Sequence, residues 1–211
     1  EHVNILLIKR GFEPEKGKWS LMGGFIKPTE SSDDAAKRIL KELTGLDGIY
    51  QEQMNTFTLP ERDPMERTVS IAYFALIDIN QYKESINDDY QAKWFPIADF
   101  PELIFDHNEM VNLAKRTLKY KATSHVILFE LLPERFTLPS LQSLFEDVYD
   151  TQFDKGNFSR KMLSTRLLLK QKDKDKSNSK KGAFYYKVDQ KHYEQNLHKF
   201  LKLIPNPNNL L

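Results

Sequence analysis

Positions 39, 42 and 43 lie on one face of a candidate helix in this 211-residue chain. They are spaced i, i+3 and i+4, so their side chains are neighbours on the helix surface. Carboxylates at such neighbouring positions could together provide the oxygen ligands that a hard cation such as Mg²⁺ prefers. The chain has Ile39, Glu42 and Leu43 there. Because two of the three side chains are aliphatic, we expect this face to hold no divalent metal.

The helix that carries this face is predicted at Ser32–Thr44, with Asp33 and Asp34 favouring its first turn and Gly45 ending it. The surrounding sequence alternates short strands with helices, which is typical of a mixed α/β domain. The strands are predicted at Val3–Lys9, Gln53–Leu59, Thr68–Ile77 and Ala92–Pro96, and a second helix near His107–Lys119.

From about Lys121 the pattern changes to helices followed by a basic hairpin. The predicted order is an apolar, helical segment at His125–Leu132, a helix at Pro139–Tyr149, a turn at 154–157, a helix at Phe158–Leu169, a lysine-rich loop at Lys170–Lys181, a strand at Ala183–Val188 and a helix at Tyr193–Leu203. This is the order of a winged helix-turn-helix, a fold class that binds double-stranded DNA.

The charge is divided unevenly along the chain. Residues 1–150 contain 17 Lys and Arg against 25 Asp and Glu, a balance of −8, whereas residues 151–211 contain 14 against 5, a balance of +9. Such an asymmetry indicates that the basic end meets a polyanion. A solvated basic tail is the alternative on charge alone.

The composition excludes several classes of function. The chain has no cysteine, so disulfides, thiolate metal sites and thiol catalysis are excluded, and its five histidines are scattered. No apolar stretch is long enough to cross a membrane and no signal peptide opens the sequence. We expect a cytoplasmic protein without a cofactor, and we expect that residues preceding Glu1 are absent from this sequence.

Seven residues at fixed spacing resemble the Nudix box. That family's pattern is Gly, five residues, Glu, seven residues, then Arg-Glu-apolar-x-Glu-Glu-x-Gly-apolar, and the chain matches it at Gly24, Glu30, Arg38, Leu40, Glu42, Gly45 and Leu46. The preceding segment, residues 18–24, is also similar to the family's entry loop. The resemblance implies a Nudix fold for the first part of the chain.

The departures from the family pattern concern its chemistry. Ile39 and Leu43 stand where the family carries glutamates that hold metal against a diphosphate. We therefore expect no enzymatic activity, with Nudix hydrolysis as the less favoured alternative. We interpret Glu30 and Arg38 as a charged pair that fixes the loop to the helix.

Further segments resemble the Nudix-related transcriptional regulators, in which a degenerate Nudix domain binds an effector and a C-terminal winged helix binds operator DNA. They are Tyr50-Gln51-Glu52-Gln53, Thr56-Phe57, Arg62-Asp63-Pro64 with Arg67, Val69, Ser70 and Tyr73, and Phe105-Asp106-His107. The likeness covers nearly the whole chain. Within this family the sequence resembles the arabinose-responsive branch, which implies a pentose effector such as L-arabinose. Other branches of the family respond to ADP-ribose.

The effector is expected to contact polar and aromatic side chains around the Nudix cleft, under the loop Pro60–Arg67. The candidates are Lys9, Trp19, Lys27, Glu30, Glu61, Arg62, Asp63, Arg67, Asp106 and His107. Several have simpler interpretations: Arg62-Asp63-Pro64 as a turn, His107 as a hydrogen-bonded structural histidine, and Trp19 as part of the core.

DNA contacts are expected from the helix after residue 157 and from the lysine-rich loop. On a helical wheel Phe158, Met162 and Leu169 point inward, and Arg160, Lys161 and Ser164 point outward, with Asn157 as the N-cap. Arginine can read guanine, whereas lysines mostly neutralise phosphates. The candidates are Lys155, Asn157, Ser159, Arg160, Lys161, Ser164, Lys172, Lys174, Lys176, Lys180 and Lys181, with Lys170 at the start of the loop.

Together these features predict an α+β protein: a degenerate Nudix effector domain at 1–120 and a winged-helix DNA-binding domain at 121–211. We expect a repressor or activator of sugar catabolism that binds operator DNA as a homodimer and responds to a sugar or nucleotide-sugar effector. The alternatives are a regulator of NAD metabolism that senses ADP-ribose, an active hydrolase, and a protein-binding module that uses the Nudix part as a scaffold.

Overall fold

The structure is a computed structural model that describes residues 3–79, 91–124, 127–177, 180–189 and 191–192. Its backbone contacts divide the chain into two compact units, one formed by Asn4–Lys115 and one that begins at Arg116 and also includes Val3. None of the helices in these ranges is long and apolar enough to span a membrane.

The described residues of the first unit form five strands: β1 (Asn4–Lys9), β2 (Trp19–Ser20), β3 (Glu52–Phe57), β4 (Ser70–Phe74) and β5 (Lys93–Pro96). Three of them form an antiparallel sheet in the order β2-β1-β5, in which Lys9 pairs with Trp19 and Asn4 pairs with Pro96. Strands β3 and β4 form a separate antiparallel pair. The four predicted strands are confirmed to within three residues at each end, whereas the short strand β2 was not predicted.

Strand β1 is buried on both faces, because successive side chains of a strand point in opposite directions. Leu6 belongs to one apolar cluster with Leu46 and Ile49, and Leu7 belongs to another with Leu103 and Val111. The first cluster also contains Leu40 of helix α1 (Ser32–Thr44), and Val111 lies on helix α2 (His107–Ser124). The sheet therefore lies between two helical layers.

Helix α1 begins and ends at the predicted residues. The Ser31 hydroxyl accepts a hydrogen bond from the Asp34 amide at 3.1 Å, which satisfies one of the free donors of the first turn. Gly45 has a φ of 78°, a left-handed conformation that glycine adopts without strain, and its amide donates to the Lys41 carbonyl at 2.8 Å. The helix is thus defined by local interactions at both ends.

After the end of α2, the described residues of the second unit form a 3₁₀ turn, two helices and a small antiparallel sheet. The bounds are Ile127–Leu131 for the 3₁₀ turn, Phe136–Thr137 for β6, Leu138–Tyr149 for α3, Lys155–Ser164 for α4, Leu168–Asp175 for β7 and Ala183–Val188 for β8. The strand order is β6-β8-β7. Phe158 of α4 packs edge-on against Phe145 of α3 with 5.5 Å between ring centroids. This helix, helix, hairpin order is the predicted one.

Two predictions about this unit are wrong. Helix α4 begins three residues earlier than predicted, because Asp154 rather than Asn157 is its N-cap: the Asp154 carboxylate accepts from the Asn157 amide at 2.8 Å. It also ends at Ser164, so Leu169 lies on β7 and is 48% exposed instead of pointing inward from the helix.

The lysine-rich segment is also different from the prediction. Residues 168–175 form strand β7 rather than a loop, paired with β8 from Leu168 opposite Val188 to Asp175 opposite Ala183. The predicted helix Tyr193–Leu203, and His125 and Val126 of the apolar segment, lie outside the described residues.

Candidate functional site

Glu30 fixes the loop before α1 to the helix itself, as interpreted from the sequence. Its carboxylate accepts from Nε and Nη2 of Arg38 at 2.9 and 2.5 Å, and from the Lys27 amide at 2.8 Å. Hydrogen bonding to the Arg38 guanidinium, followed by that to the Lys27 backbone, lowers the pKa of Glu30 to about 2. A further Arg38 contact, 3.0 Å from Nη2 to the Phe25 carbonyl, closes the same loop.

The helix face at 39, 42 and 43 does not fit a divalent metal. Glu42 is the one carboxylate of the three positions, and its Oε2 accepts from Nη1 of Arg38 at 3.0 Å. Ile39 packs on Gly24, where an added Cβ would approach the isoleucine side chain to 3.0 Å. Within the described residues no three His, Asp or Glu side chains gather as a metal site. A largely aliphatic face whose one acid already shares an oxygen with an arginine offers too few oxygen ligands for Mg²⁺.

The most buried ion pair of the first unit's described residues joins Arg62 to Asp106. Nε and Nη2 of Arg62 donate to the two carboxylate oxygens of Asp106, each at 2.8 Å, and Nη1 donates to the Ser70 hydroxyl at 2.6 Å. The arginine and aspartate side chains are only 5% and 11% exposed. This bidentate geometry holds the loop that contains Arg62 against the residue preceding α2.

His107, the first residue of α2, is held neutral. Its Nδ1 accepts a hydrogen bond from the Leu21 amide at 3.1 Å and lies 3.4 Å from the Ser20 hydroxyl. An amide that donates to Nδ1 requires that atom to be unprotonated, so the ring proton is on Nε2. Burial lowers the pKa of His107 to about 4. The ring therefore joins β2 to α2 as an uncharged hydrogen-bonding group.

The loop Pro60–Arg67 is shaped by its own polar side chains. The Asp63 carboxylate accepts from the Met65 amide at 2.9 Å and from the Thr68 hydroxyl at 3.1 Å, which makes it a turn residue. Arg67 and Glu61 are exposed, and Nη1 of Arg67 donates to the Thr68 carbonyl at 3.2 Å. These last two candidates therefore remain open to solvent and carry opposite charges.

Trp19 contributes to the core as well as to the surface. Its ring packs edge-on against Phe95 with 4.8 Å between centroids and belongs to the cluster around Leu7. The Lys9 ammonium lies 4.9 Å from the Trp19 ring centroid, a cation–π distance. The Trp19 carbonyl accepts from the Ile104 amide at 3.1 Å, which ties this residue to the segment that leads to Asp106 and His107.

Three groups of predicted effector residues are therefore brought together: Arg62 with Asp106, Lys9 with Trp19, and Lys27 with Glu30. His107 follows Asp106 directly, whereas Glu61, Asp63 and Arg67 belong to the loop alone. That these residues contact an effector stays a prediction.

Arg10 and Ser70 were not among the predicted site residues. Arg10 donates to the carbonyls of Phe12 and Pro14 and lies 4.0 Å from the Phe12 ring and 5.3 Å from the Phe105 ring. Phe105 has a φ of 51°, which is uncommon for a bulky residue and marks a constrained backbone next to Asp106. No spacing rule connects residues 10 and 105, so only the fold brings them together. The one feature of the sequence that points to Phe105 is its position directly before the candidate residues Asp106 and His107.

Helix α4 presents a polar face to solvent. Asn157, Arg160, Lys161 and Ser164 are exposed, whereas Phe158 and Met162 are 7% and 0% exposed, as the helical wheel predicts. Lys155 is exposed in the first turn, and Ser159 is half-buried. The Ser164 hydroxyl donates to the Lys161 carbonyl at 2.7 Å. An exposed helix face with an arginine and a lysine at adjacent positions is suited to a DNA groove.

The β7–β8 hairpin continues this basic surface. The ammonium groups of Lys170 and Lys174 both lie over the Phe184 ring, at 3.7 and 4.3 Å from its centroid. The pairing register of β7 with β8 shifts between these two lysines. Lys172, Lys176, Lys180 and Lys181 are exposed. Asp173 pairs with Arg135 at 3.3 Å, so one of the acidic side chains is already neutralised. The hairpin therefore presents an excess of cationic groups.

Two family models match the chain over separate ranges. Residues 1–116 match the NUDIX domain, and residues 128–188 match the NrtR DNA-binding winged helix domain.

Individual relatives agree with these matches. The ADPR responsive transcriptional repressor NtrR of Acinetobacter baylyi is 30% identical over 204 residues, which cover 95% of this chain and 81% of the relative. The crystal structure of Shewanella oneidensis NrtR complexed with a 27mer DNA superposes with a TM-score of 0.77 at 29% identity and covers 92% of this chain and 90% of that one. The ADP-ribose pyrophosphatase of Methanocaldococcus jannaschii is 34% identical over 108 residues, 51% of this chain and 63% of the relative.

These matches confirm the predicted fold class and the resemblance on which it rested, except that none of them supports the arabinose branch. A NUDIX model that covers more than half of the chain and a relative aligned over nearly all of it are sufficient to assign the family. The chain belongs to the Nudix-related transcriptional regulators, with a Nudix domain followed by an NrtR-type winged helix domain.

Proposed function

We propose that this protein is a transcription repressor that binds operator DNA through its winged helix unit and ADP-ribose, or a closely related nucleotide sugar, through its Nudix unit. The observation that carries the proposal is the alignment over 95% of the chain with a repressor described as ADPR-responsive. The exposed cationic face of α4 and the basic hairpin support DNA binding, because phosphate neutralisation supplies most of the affinity of such proteins.

The proposed effector is ADP-ribose, the alternative considered from the sequence, and not the pentose that the sequence favoured. The comparisons support ADP-ribose better than L-arabinose, since the relative described as responding to a ligand responds to ADPR. A regulator of sugar catabolism accordingly has less support than a regulator of nucleotide metabolism.

The Nudix unit is proposed to bind its ligand without cleaving it. Ile39 and Leu43 give the helix face no acidic oxygen, and Glu42 is paired with Arg38 at 3.0 Å. Hydrolysis of ADP-ribose is the second candidate function, favoured by the identity of 34% to a pyrophosphatase over half of the chain. The paired, largely aliphatic face argues against it, because no residue set on that face holds the metal that such a hydrolysis uses.

The protein is proposed to act as a homodimer. A single winged helix reads only a few base pairs, so two copies related by a twofold axis give a site of useful length. Sedimentation of the purified protein tests this, and a monomer at micromolar concentration that also binds DNA as a monomer contradicts it.

A mobility-shift experiment tests the DNA and effector parts together. The probe is a duplex selected by the protein from a library of random sequences, and the expected result is a shifted band that ADP-ribose removes and L-arabinose at the same concentration does not. A ligand acts in this way only if it favours one of two conformations of the protein. Release by L-arabinose alone would restore the pentose interpretation, and failure to select any duplex would refute DNA binding.

The same samples decide between binding and hydrolysis. ADP-ribose incubated with the protein and Mg²⁺ is expected to be recovered intact, while the melting temperature of the protein rises with ligand concentration by mass action. Release of AMP at enzymatic rates would favour the hydrolase. A melting temperature unaffected by ADP-ribose would favour a scaffold without a small-molecule ligand.

A further inference from the structure

Two side chains on the exposed face of α4 are joined to each other. The Asn157 carbonyl oxygen Oδ1 accepts a hydrogen bond from Nη2 of Arg160, one helical turn later. Both residues are exposed, so the bond lies on the solvent side of the helix and not in its core. Residues three apart on a helix are neighbours, and the pair therefore needs no distortion of the backbone.

The Asn157 side chain can make this contact because it does not cap the helix. Asp154 performs that role, with its carboxylate on the Asn157 amide at 2.8 Å and its carbonyl accepting from the Phe158 amide at 2.8 Å. Phe158 in turn is buried against Phe145 and Phe153, at 5.5 and 5.8 Å between centroids. The backbone under Asn157 is thus anchored on both sides, and the asparagine offers a fixed acceptor to Arg160.

The contact leaves the arginine able to read a base. Nη2 carries two hydrogens, so donation of one to Asn157 leaves the second, together with those of Nη1, for an external pair of acceptors. Guanine presents such a pair, N7 and O6, in the major groove. A free arginine loses considerable rotamer freedom when it makes this contact, whereas an arginine already held by a neighbour loses less.

We propose that Asn157 is a positioning residue for sequence recognition: it orients Arg160 toward one guanine of the operator before DNA arrives. This inference rests on the proposed DNA-binding function. It assigns Asn157 a role through Arg160 rather than as a helix cap or an independent contact to DNA.

Binding of the selected duplex by four proteins tests the proposal: wild type, Asn157→Ala, Arg160→Ala and the double variant. Alanine is a better helix former than asparagine, so Asn157→Ala is expected to keep α4 folded. We expect Asn157→Ala to weaken binding roughly three- to tenfold and Arg160→Ala to weaken it roughly tenfold or more. The double variant should bind no more weakly than Arg160→Ala, because the asparagine acts only through the arginine. Gln152→Ala, an exposed residue just outside the helix, is the matched control and should change nothing.

A second measurement separates positioning from a structural role. Each guanine of the duplex is replaced in turn by 7-deazaguanine, which lacks the N7 acceptor. One replacement should weaken binding by the wild type, leave binding by Arg160→Ala unchanged, and have a reduced effect on Asn157→Ala. Equal weakening by Asn157→Ala on every duplex, or strictly additive effects of the two substitutions, would overturn the inference while leaving DNA binding intact. A wild type that binds no duplex at all overturns the proposed function and this inference with it.

Discussion

Arg62 and Asp106 form a bidentate ion pair across 44 residues of sequence, with two contacts of 2.8 Å. Both side chains are nearly fully buried, and the remaining guanidinium nitrogen is hydrogen-bonded to Ser70. The pair therefore satisfies its own hydrogen-bonding groups instead of presenting them to solvent. It joins the loop of residues 60–67 to the start of α2, next to His107 and its hydrogen-bonding partners.

Replacement of Arg62 by methionine is expected to reduce the free energy of unfolding by about 3–5 kcal/mol, because it leaves the Asp106 carboxylate buried without its partner. The matched control is Arg67→Met, in the same loop but exposed, which should change stability by no more than about 0.5 kcal/mol. Chemical denaturation followed by circular dichroism measures both. Equal stabilities of the two variants would show that the ion pair contributes little.

Stability is expected to fall as the pH is lowered through the range in which His107 would be protonated in the unfolded chain. Its pKa is lowered from 6.5 to about 4 by burial, so between these values the unfolded state binds more protons than the folded state. The destabilisation is absent well above pH 6.5, grows as the pH falls toward 4, and amounts to about 3 kcal/mol at the lower end.

The variant His107→Asn isolates this effect. Asparagine can present an oxygen near the position of Nδ1 to the Leu21 amide, and it does not titrate. Its stability, measured by denaturation at pH 7.5 and pH 5, should therefore decrease less than that of the wild type over the same interval. Parallel decreases in the two proteins would mean that His107 is protonated at an ordinary pH in the folded state.

Mg²⁺ is expected to bind the wild type no more tightly than it binds an ordinary acidic surface, and isothermal titration calorimetry measures this directly. The double variant Ile39→Glu, Leu43→Glu returns carboxylates to the face that already has Glu42, and it should bind Mg²⁺ detectably. A double variant with glutamines at the same positions is the control for polarity without charge. Saturable millimolar or tighter Mg²⁺ binding by the wild type at this face would contradict the proposed absence of a metal centre.

The exposed lysines of the hairpin are expected to contact phosphates rather than bases. Substitution of Lys172, Lys176 and Lys180 by alanine should weaken binding similarly for selected and unrelated duplexes. It should also reduce the slope of log affinity against log salt by up to about 3, roughly one for each phosphate that is no longer neutralised. Lys37→Ala, at an exposed position of α1, is the control. Weakening restricted to the selected duplex would instead assign base reading to the hairpin.

The parts of the fold that depend on local interactions could be predicted from the sequence. Helix α1 begins and ends at the predicted residues because Ser31 and Gly45 act within one turn of its ends. The same reasoning is wrong at α4, where Gly156 suggests a turn, although the Asp154 cap makes it part of the first helical turn. The sequence of β7 predicts a loop from Lys170 onward, because its lysines and aspartates show no apolar face. Its strand conformation comes from pairing with β8, whose Phe184 ring lies under the Lys170 and Lys174 ammonium groups.

The candidate site could be predicted only in part. The pairing of Glu30 with Arg38 follows from the fixed spacing of the motif, and the structure contains it. The partnership of Arg62 with Asp106 and Ser70, and that of Arg10 with Phe105, depend on which segments the fold brings together. No periodicity or motif spacing contains that information, so these residues were predicted singly or missed.

The contact between Ile39 and Gly24 has a consequence for how this chain can change over time. The half-buried Ile39 side chain lies beside Gly24, close enough that a Cβ added to the glycine would approach it to 3.0 Å, so a position of the motif now makes an apolar packing contact. A return to glutamate would give up this contact and place a carboxylate at a half-buried position, before any benefit from a recovered acid could appear. Replacement of glutamate by isoleucine at position 39 is therefore easier than the reverse replacement. Descendants of this chain should retain an aliphatic residue there.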